Sequence, residues 1–162
     1  MESAVDWLYV LTLLTALGSG LMAGVFFAFS SFVMKALARL SPAEGIAAMQ
    51  SINITVINPL FMAVFLGTAV AGLVVAVAAL LRWNEPGAAY LLLGGALYLV
   101  GCFVVTGAFN VPRNNALAAT APGDPNAHRL WADYLSRWTA WNHVRTAASL
   151  AAAAVLTIAL AS

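Results

Sequence analysis

Four long stretches of this sequence contain no Asp, Glu, Lys or Arg: 28 residues from Trp7 to Met34, 37 from Gly45 to Leu81, 27 from Pro86 to Pro112 and 17 from Thr146 to Ser162. A bilayer core takes roughly 20 helical residues. Inside lipid every backbone N–H and C=O must be satisfied internally, and apolar runs of this length satisfy them as helices. The pattern predicts an all-α, four-transmembrane-helix bundle forming one domain over residues 1–162, with spans at about 7–34, 56–81, 88–110 and 140–161. Only 8% of the residues are charged, against about 25% in soluble proteins, and no room is left for a soluble domain.

Loop charges orient the spans. Lys35 and Arg39 follow the first, and Arg113, Arg129 and Arg137 lie between the third and fourth, whereas Arg82 in the second loop is offset by Glu85. The positive-inside rule then places both termini outside the cytoplasm and the first and third connections within it. Glu2 and Asp6 stand where a secretory signal would carry cations, so the first span is expected to stay attached. Cys102 is the single cysteine, which excludes an intrachain disulfide. With a net charge of +1 and no basic patch, nucleic acid is not an expected partner; the lipid bilayer is.

Prolines punctuate the helices. Ser41-Pro42-Ala43-Glu44 reads as a capping box with proline in the first turn. A single helix from Pro42 to Leu81 would measure about 60 Å, so its first turns lie outside or along the membrane. Pro59 would free the carbonyl of Thr55 and kink the helix near Asn58. Pro112 predicts the end of the third span. Asp124-Pro125 predicts the start of one long helix, from about 125 to 160, whose first part extends into cytoplasm with Arg129, Asp133 and Arg137 on a solvated face.

At about 100° per residue, Trp131, Tyr134, Trp138, Trp141, Asn142, Arg145 and Ser149 share one face of that helix. Only 17 residues follow Arg145, so a span of roughly 20 draws it to the edge of the hydrocarbon. There the guanidinium needs a partner. Three readings stand open: an ion pair with Glu44, snorkelling to water, or an anionic ligand. His143 points about 160° away from Arg145 on an ideal helix, either as an interhelical hydrogen-bond donor or as a base. With His128 the only other histidine, no dedicated metal site is expected.

Gln50, Asn53, Asn58, Asn110, Arg113 and Asn114 fall at the same end of the helices. Phe26, Phe27, Phe29 and Phe32 supply flat apolar surface beside Ser30 and Ser31. Gly20 and Gly24 suit close helix approach, within one subunit or in a homo-oligomer. An apolar cavity rimmed by amides and a cation suits a planar, weakly acidic molecule.

AGVFFAFS followed by VMKAL, SPAEGIAAMQSIN with NPLF, VTGAFNVPRNNAL, and W-x-x-Y-x-x-x-W-x-x-W-N-H-V-R-T occur in that order from about Gly18 to Ser149. This succession resembles the anthrone oxygenase-like family of small four-helix integral membrane proteins. The resemblance implies oxidation of an anthrone to an anthraquinone by dioxygen without metal or organic cofactor. It maps polar family positions onto Asn53, Asn58, Asn110, Asn114, Trp138, Trp141, Asn142, His143 and Arg145. On this basis His143 is the candidate base, with Arg145, Asn142 and Asn114 holding the oxyanion. Asn53, Asn58, Asn110, Arg113, Tyr134, Trp138, Trp141 and Phe29 would contact substrate. The alternative is a non-enzymatic membrane protein that grips a quinone, a haem or a partner subunit.

Overall fold

The computed structural model describes residues 6–121 and 124–162, so Glu2 lies outside the described part. All regular structure there is helical. The helices are α1 (Trp7–Leu37), α2 (Pro42–Thr55), α3 (Pro59–Leu81), α4 (Ala88–Ala118) and α5 (Ala127–Ala159). Three of them, α1, α3 and α4, are long and apolar enough to cross a membrane, the make-up of an integral membrane protein. The fourth expected span, on α5, does not join them. Asn142, His143 and Arg145 sit where that span would begin, and six of residues 147–154 are alanine, which is only weakly apolar.

α1 packs against α3 and α5, and α4 packs against the same two helices. Close approach requires small residues at the α3/α4 crossing, where a Cβ on Gly95 would stand 2.6 Å from the carbonyl oxygen of Gly72. Gly95→Val is therefore expected to pry α3 from α4 at a cost of roughly 1–3 kcal/mol, the usual range for overpacking. A thermal-unfolding midpoint equal to that of the parent would refute this contact. The Gly20/Gly24 pair does not play that part: Gly20 is in ordinary contact with Ala153, and nothing lies within 4 Å of a Cβ on Gly24.

The short helix α2 begins as the sequence predicts. Ser41 Oγ accepts from the Glu44 N–H at 3.4 Å, and Glu44 Oε2 accepts from the Ser41 N–H at 3.0 Å and from its hydroxyl at 2.6 Å. These bonds hold the Glu44 carboxyl below its ordinary value. A depressed carboxyl stabilises the cap while ionised, so that stability is present at neutral pH and is lost as acid takes the pH down through the lowered value. Amide exchange in the first turn of α2 should accelerate on acidification, once corrected for intrinsic rates, and should do so less in Glu44→Gln.

The chain breaks fully between α2 and α3 rather than kinking. Asn58 spans the gap: its Nδ2 donates to the Thr55 carbonyl at 3.0 Å, the acceptor Pro59 leaves unserved, and its Oδ1 accepts from the Phe61 N–H at 3.0 Å. Pro112, in contrast, does not end α4. A π-helical turn over Thr106–Asn110 precedes it and the helix continues to Ala118. The widened turn accommodates a ring that a regular α-turn would reject. Two other π turns occur, at Leu99–Val104 in α4 and Phe29–Val33 in α1.

α5 runs through Ala127–Ala159 as one helix, as expected from its start and length. Asp133 pairs with Arg137 at 2.6 Å on the exposed side, while Arg129 turns to Asn126 instead. Its buried stripe, Trp131, Tyr134, Trp138, Asn142, Arg145, Ser149, Ala152 and Leu156, faces the other helices.

Candidate functional site

Where α2 meets the ring formed by α1, α3, α4 and α5, the side chains leave a cavity of about 230 Å³ to which all five helices contribute. Its walls are mostly apolar. Phe26 and Phe29 come from α1, Met49 and Ile52 from α2 with Val56 just past its end, Phe61, Met62 and Phe65 from α3, and Val111 from α4. Four polar residues join them: Asn53, Thr106, Asn114 and Arg145, with the Trp138 ring between. A second space of about 600 Å³ shares Asn53, Ile57, Val111 and Asn114 with the first and adds Gln50 and Asn115. It forms a mouth between α2 and the end of α4, largely apolar but edged by four amide side chains. Gln50 fixes that mouth by donating to the carbonyls of Leu117 at 2.8 Å and Thr120 at 3.2 Å.

Arg145 is 5% exposed. It donates through Nη1 to Thr106 Oγ1 at 3.2 Å and through Nη2 to Asn142 Oδ1, while its Nε–H meets no acceptor. The guanidinium lies over the Phe26 ring at 4.2 Å and near the Trp138 ring at 5.2 Å, contacts that attract a cation without neutralising it. Among the described residues no carboxylate pairs with it. Two of the three readings of this arginine therefore fail. Glu44 is exposed and committed to Ser41, and the burial of Arg145 excludes snorkelling.

Asn142 holds the arginine in place. Its Nδ2 donates to the Phe26 carbonyl and to Ser30 Oγ, both at 2.6 Å. Those acceptors lie beside and within the π turn of α1, where a widened ladder lets a side chain reach backbone. Thr106 opens the π turn of α4 on the other side. The cation is thus suspended between two irregular turns, a feature often found at functional sites.

Asn114 Oδ1 accepts from the Tyr134 hydroxyl at 2.9 Å and from Trp138 Nε1 at 2.8 Å. Phe29 leans on Trp138 at 5.8 Å. The structure thus gathers Phe29, Asn53, Asn114, Trp138 and Arg145 around one space, with Asn142 and Tyr134 directly behind. It does not bring in the other residues expected there. Asn58 is an exposed helix cap. Asn110 is buried and donates to the Trp138 carbonyl at 3.2 Å. Arg113 donates to the Phe109 carbonyl at 2.6 Å. Trp141 stacks on Phe109 at 3.6 Å, outside the cavity. His143 is exposed, because the helical step that buries Asn142 and Arg145 turns it outward.

Sequence reasoning placed Asn53 at the site but missed Thr106 and the apolar face of α2 around it. The latter was legible as Met49, Ile52 and Val56, at i, i+3 and i+7. Thr106 gave no signal beyond its place in the TGAFNVPRNNAL run. No group of three or more His, Cys, Asp or Glu side chains stands close enough to hold a metal ion among the described residues.

An all-helical membrane protein with an apolar cavity and a buried, unneutralised cation is the class these features define. A family model described as anthrone oxygenase matches residues 61–155. This is more than half of the chain, and the protein belongs to that family. The match covers nearly all of α3, the whole of α4 and most of α5, including Thr106, Asn114 and Arg145; Phe26, Phe29 and Asn53 lie ahead of it. No curated protein and no solved structure matches the chain.

Proposed function

We propose that this protein is a membrane-embedded, cofactor-independent oxygenase acting on a polycyclic phenol such as an anthrone. The observation that carries the reading is the buried guanidinium of Arg145, without a carboxylate partner among the described residues, at the wall of an apolar cavity. At about 230 Å³ the inner space is smaller than usual small-molecule sites of roughly 300–1,000 Å³, and the confluent mouth enlarges it. Aromatic walls suit fused rings, and Arg145 with the Asn114 amide suits the oxygens at their edge.

In the reaction, an anthrone loses one methylene proton to give an anion whose charge lies on oxygen. That charge is where fixed donors act best. The anion passes one electron to dioxygen, the resulting radical and superoxide couple at carbon, and the peroxide loses water as the second C–H bond breaks. One oxygen atom becomes the new carbonyl and the other leaves as water. Purified protein in nanodiscs should consume one dioxygen per anthrone, with or without a chelator. Uptake no faster than spontaneous autoxidation would overturn the proposal. Because His143 faces away from the cavity, His143→Ala is expected to leave the rate unchanged.

A quinone carrier, the non-enzymatic alternative, would use the same two donors on quinone carbonyls, and the same oxygen measurement separates the two. Neither histidine lines the cavity, which therefore offers no histidine ligand to a haem; a Soret band in purified protein would count against this reading. We read the second half of α5 as a fourth span completing a four-helix bundle, supported by its packing on α1 and α4 and by outward-facing Leu150 and Ile158. Loop charge places the amide-edged mouth on the cytoplasmic side.

A further inference from the structure

We propose that the cavity takes its aromatic ligand as a preformed oxyanion, offering fixed hydrogen-bond donors and no side chain basic enough to take its proton. This rests on the oxygenase reading for the identity of the substrate, but it follows from the donor inventory.

The orientation of Asn114 decides the first point. Trp138 Nε1 can only donate, and it stands 2.8 Å from Asn114 Oδ1, which fixes the direction of the carboxamide. The Tyr134 hydroxyl reaches the same oxygen at 2.9 Å. Burial pushes the Tyr134 phenol up from its ordinary value, so it keeps its proton and remains a donor. With its oxygen occupied twice, Asn114 has only amide N–H groups to offer the space it lines.

The Thr106 hydroxyl has its one proton committed. It donates to the Cys102 carbonyl at 2.8 Å and accepts from Arg145 at 3.2 Å. Arg145 itself accepts nothing and has an unpartnered Nε–H. Among the described residues no Asp, Glu, His, Lys, Tyr or Cys lines the cavity, and the fourth polar group there, the Asn53 carboxamide, is not a base. Around the guanidinium, the titratable neighbours are Tyr134 on its own helix and Cys102 on α4, both neutral when protonated. α3 has no titratable side chain, and α1 and α2 turn Lys35 and Glu44 outward.

Proton removal is therefore not a task the cavity walls perform. The ligand ionises in water at the amide-edged mouth, and Arg145 selects the anion. The structure assigns a ligand class: a planar aromatic phenolate or enolate. A bare hydrocarbon, or a phenol too weakly acidic to ionise, is not expected to occupy the site.

A hydroxyanthraquinone dye tests this, since its phenol and phenolate absorb at different wavelengths and it lacks the oxidisable methylene of an anthrone. Bound to the protein, the dye should reach half-ionisation at least one pH unit below its value in the same empty nanodiscs, about tenfold more phenolate at a given pH. Arg145→Gln should abolish the shift, and His143→Gln should preserve it. If Arg145→Gln does not fold, Thr106→Asp, which sets a carboxylate beside the guanidinium, should abolish it instead.

The inference is overturned if the dye does not bind the parent protein, if it binds as the neutral phenol, or if the shift survives in both Arg145→Gln and Thr106→Asp. Oxygen uptake on an anthrone is scored separately. A shifted dye without uptake leaves the anion site standing and removes the oxygenase; uptake with a neutral dye does the reverse.

Discussion

Arg145→Gln is expected to lower oxygen uptake on an anthrone by about 10²–10³, the usual cost of removing a donor aimed at a developing oxyanion. The same variant should be no less stable than the parent. A charged arginine in a membrane interior costs roughly 2.5–3.5 kcal/mol even on the lenient insertion scale, and among the described residues no carboxylate offsets that cost here. Glutamine keeps an amide that can donate to Thr106 or Asn142 while shedding the charge. Loss of activity with a thermal midpoint at or above that of the parent marks a residue kept for function at the expense of stability. Unimpaired uptake in a folded Arg145→Gln protein would remove the arginine from the catalytic machinery. A collapse of the fold without residual binding would instead make the arginine a structural post.

How much of this was legible in the sequence follows from what each feature depends on. Charge-free runs report helices because a hydrocarbon solvent leaves the backbone little choice, and α1, α3 and α4 emerge accordingly. Capping chemistry is equally local, so Ser41 with Glu44 could be read directly, and Pro59 marked the place of an interruption that is a full break and not the expected kink. The face of α5 carrying Trp138, Asn142 and Arg145 followed from helical periodicity alone. That rotation also turns His143 outward, an angular separation from Arg145 that the helical period alone gives.

Three-dimensional choices were not legible. Asn58 and Asn114 have the same side chain, yet one caps a helix and the other lines the cavity. The difference lies in Trp138 and Tyr134 arriving from a distant helix. Pro112 looked like a terminator because sequence rules assume an α-turn, and a π turn removes that assumption. Glu44 stands at the right end of the helices to meet Arg145, but its own cap claims it. The helix count is a further lesson. Six alanines after a polar triplet are weakly apolar, so the membrane character of α5 must be inferred from its packing.

Thr106→Asp is expected to silence the site while leaving Arg145 in place. Thr106 Oγ1 already lies 3.2 Å from Arg145 Nη1, and an aspartate there would bring a carboxylate within ion-pair distance. In a poorly hydrated interior such a pair is held firmly. The cation that selects an anionic ligand would then be satisfied internally, and a second anion would meet the aspartate's repulsion as well. Oxygen uptake should fall at least as far as in Arg145→Gln, roughly 10²-fold or more. Thr106→Val, which loses one hydrogen bond of about 0.5–1.5 kcal/mol net, should retain most of the uptake. The contrast isolates charge from geometry. A cation that merely braces α4 against α5 would be indifferent to, or strengthened by, the new carboxylate, and uptake would persist. A cation held ready for an incoming oxyanion loses its purpose once a resident one is supplied.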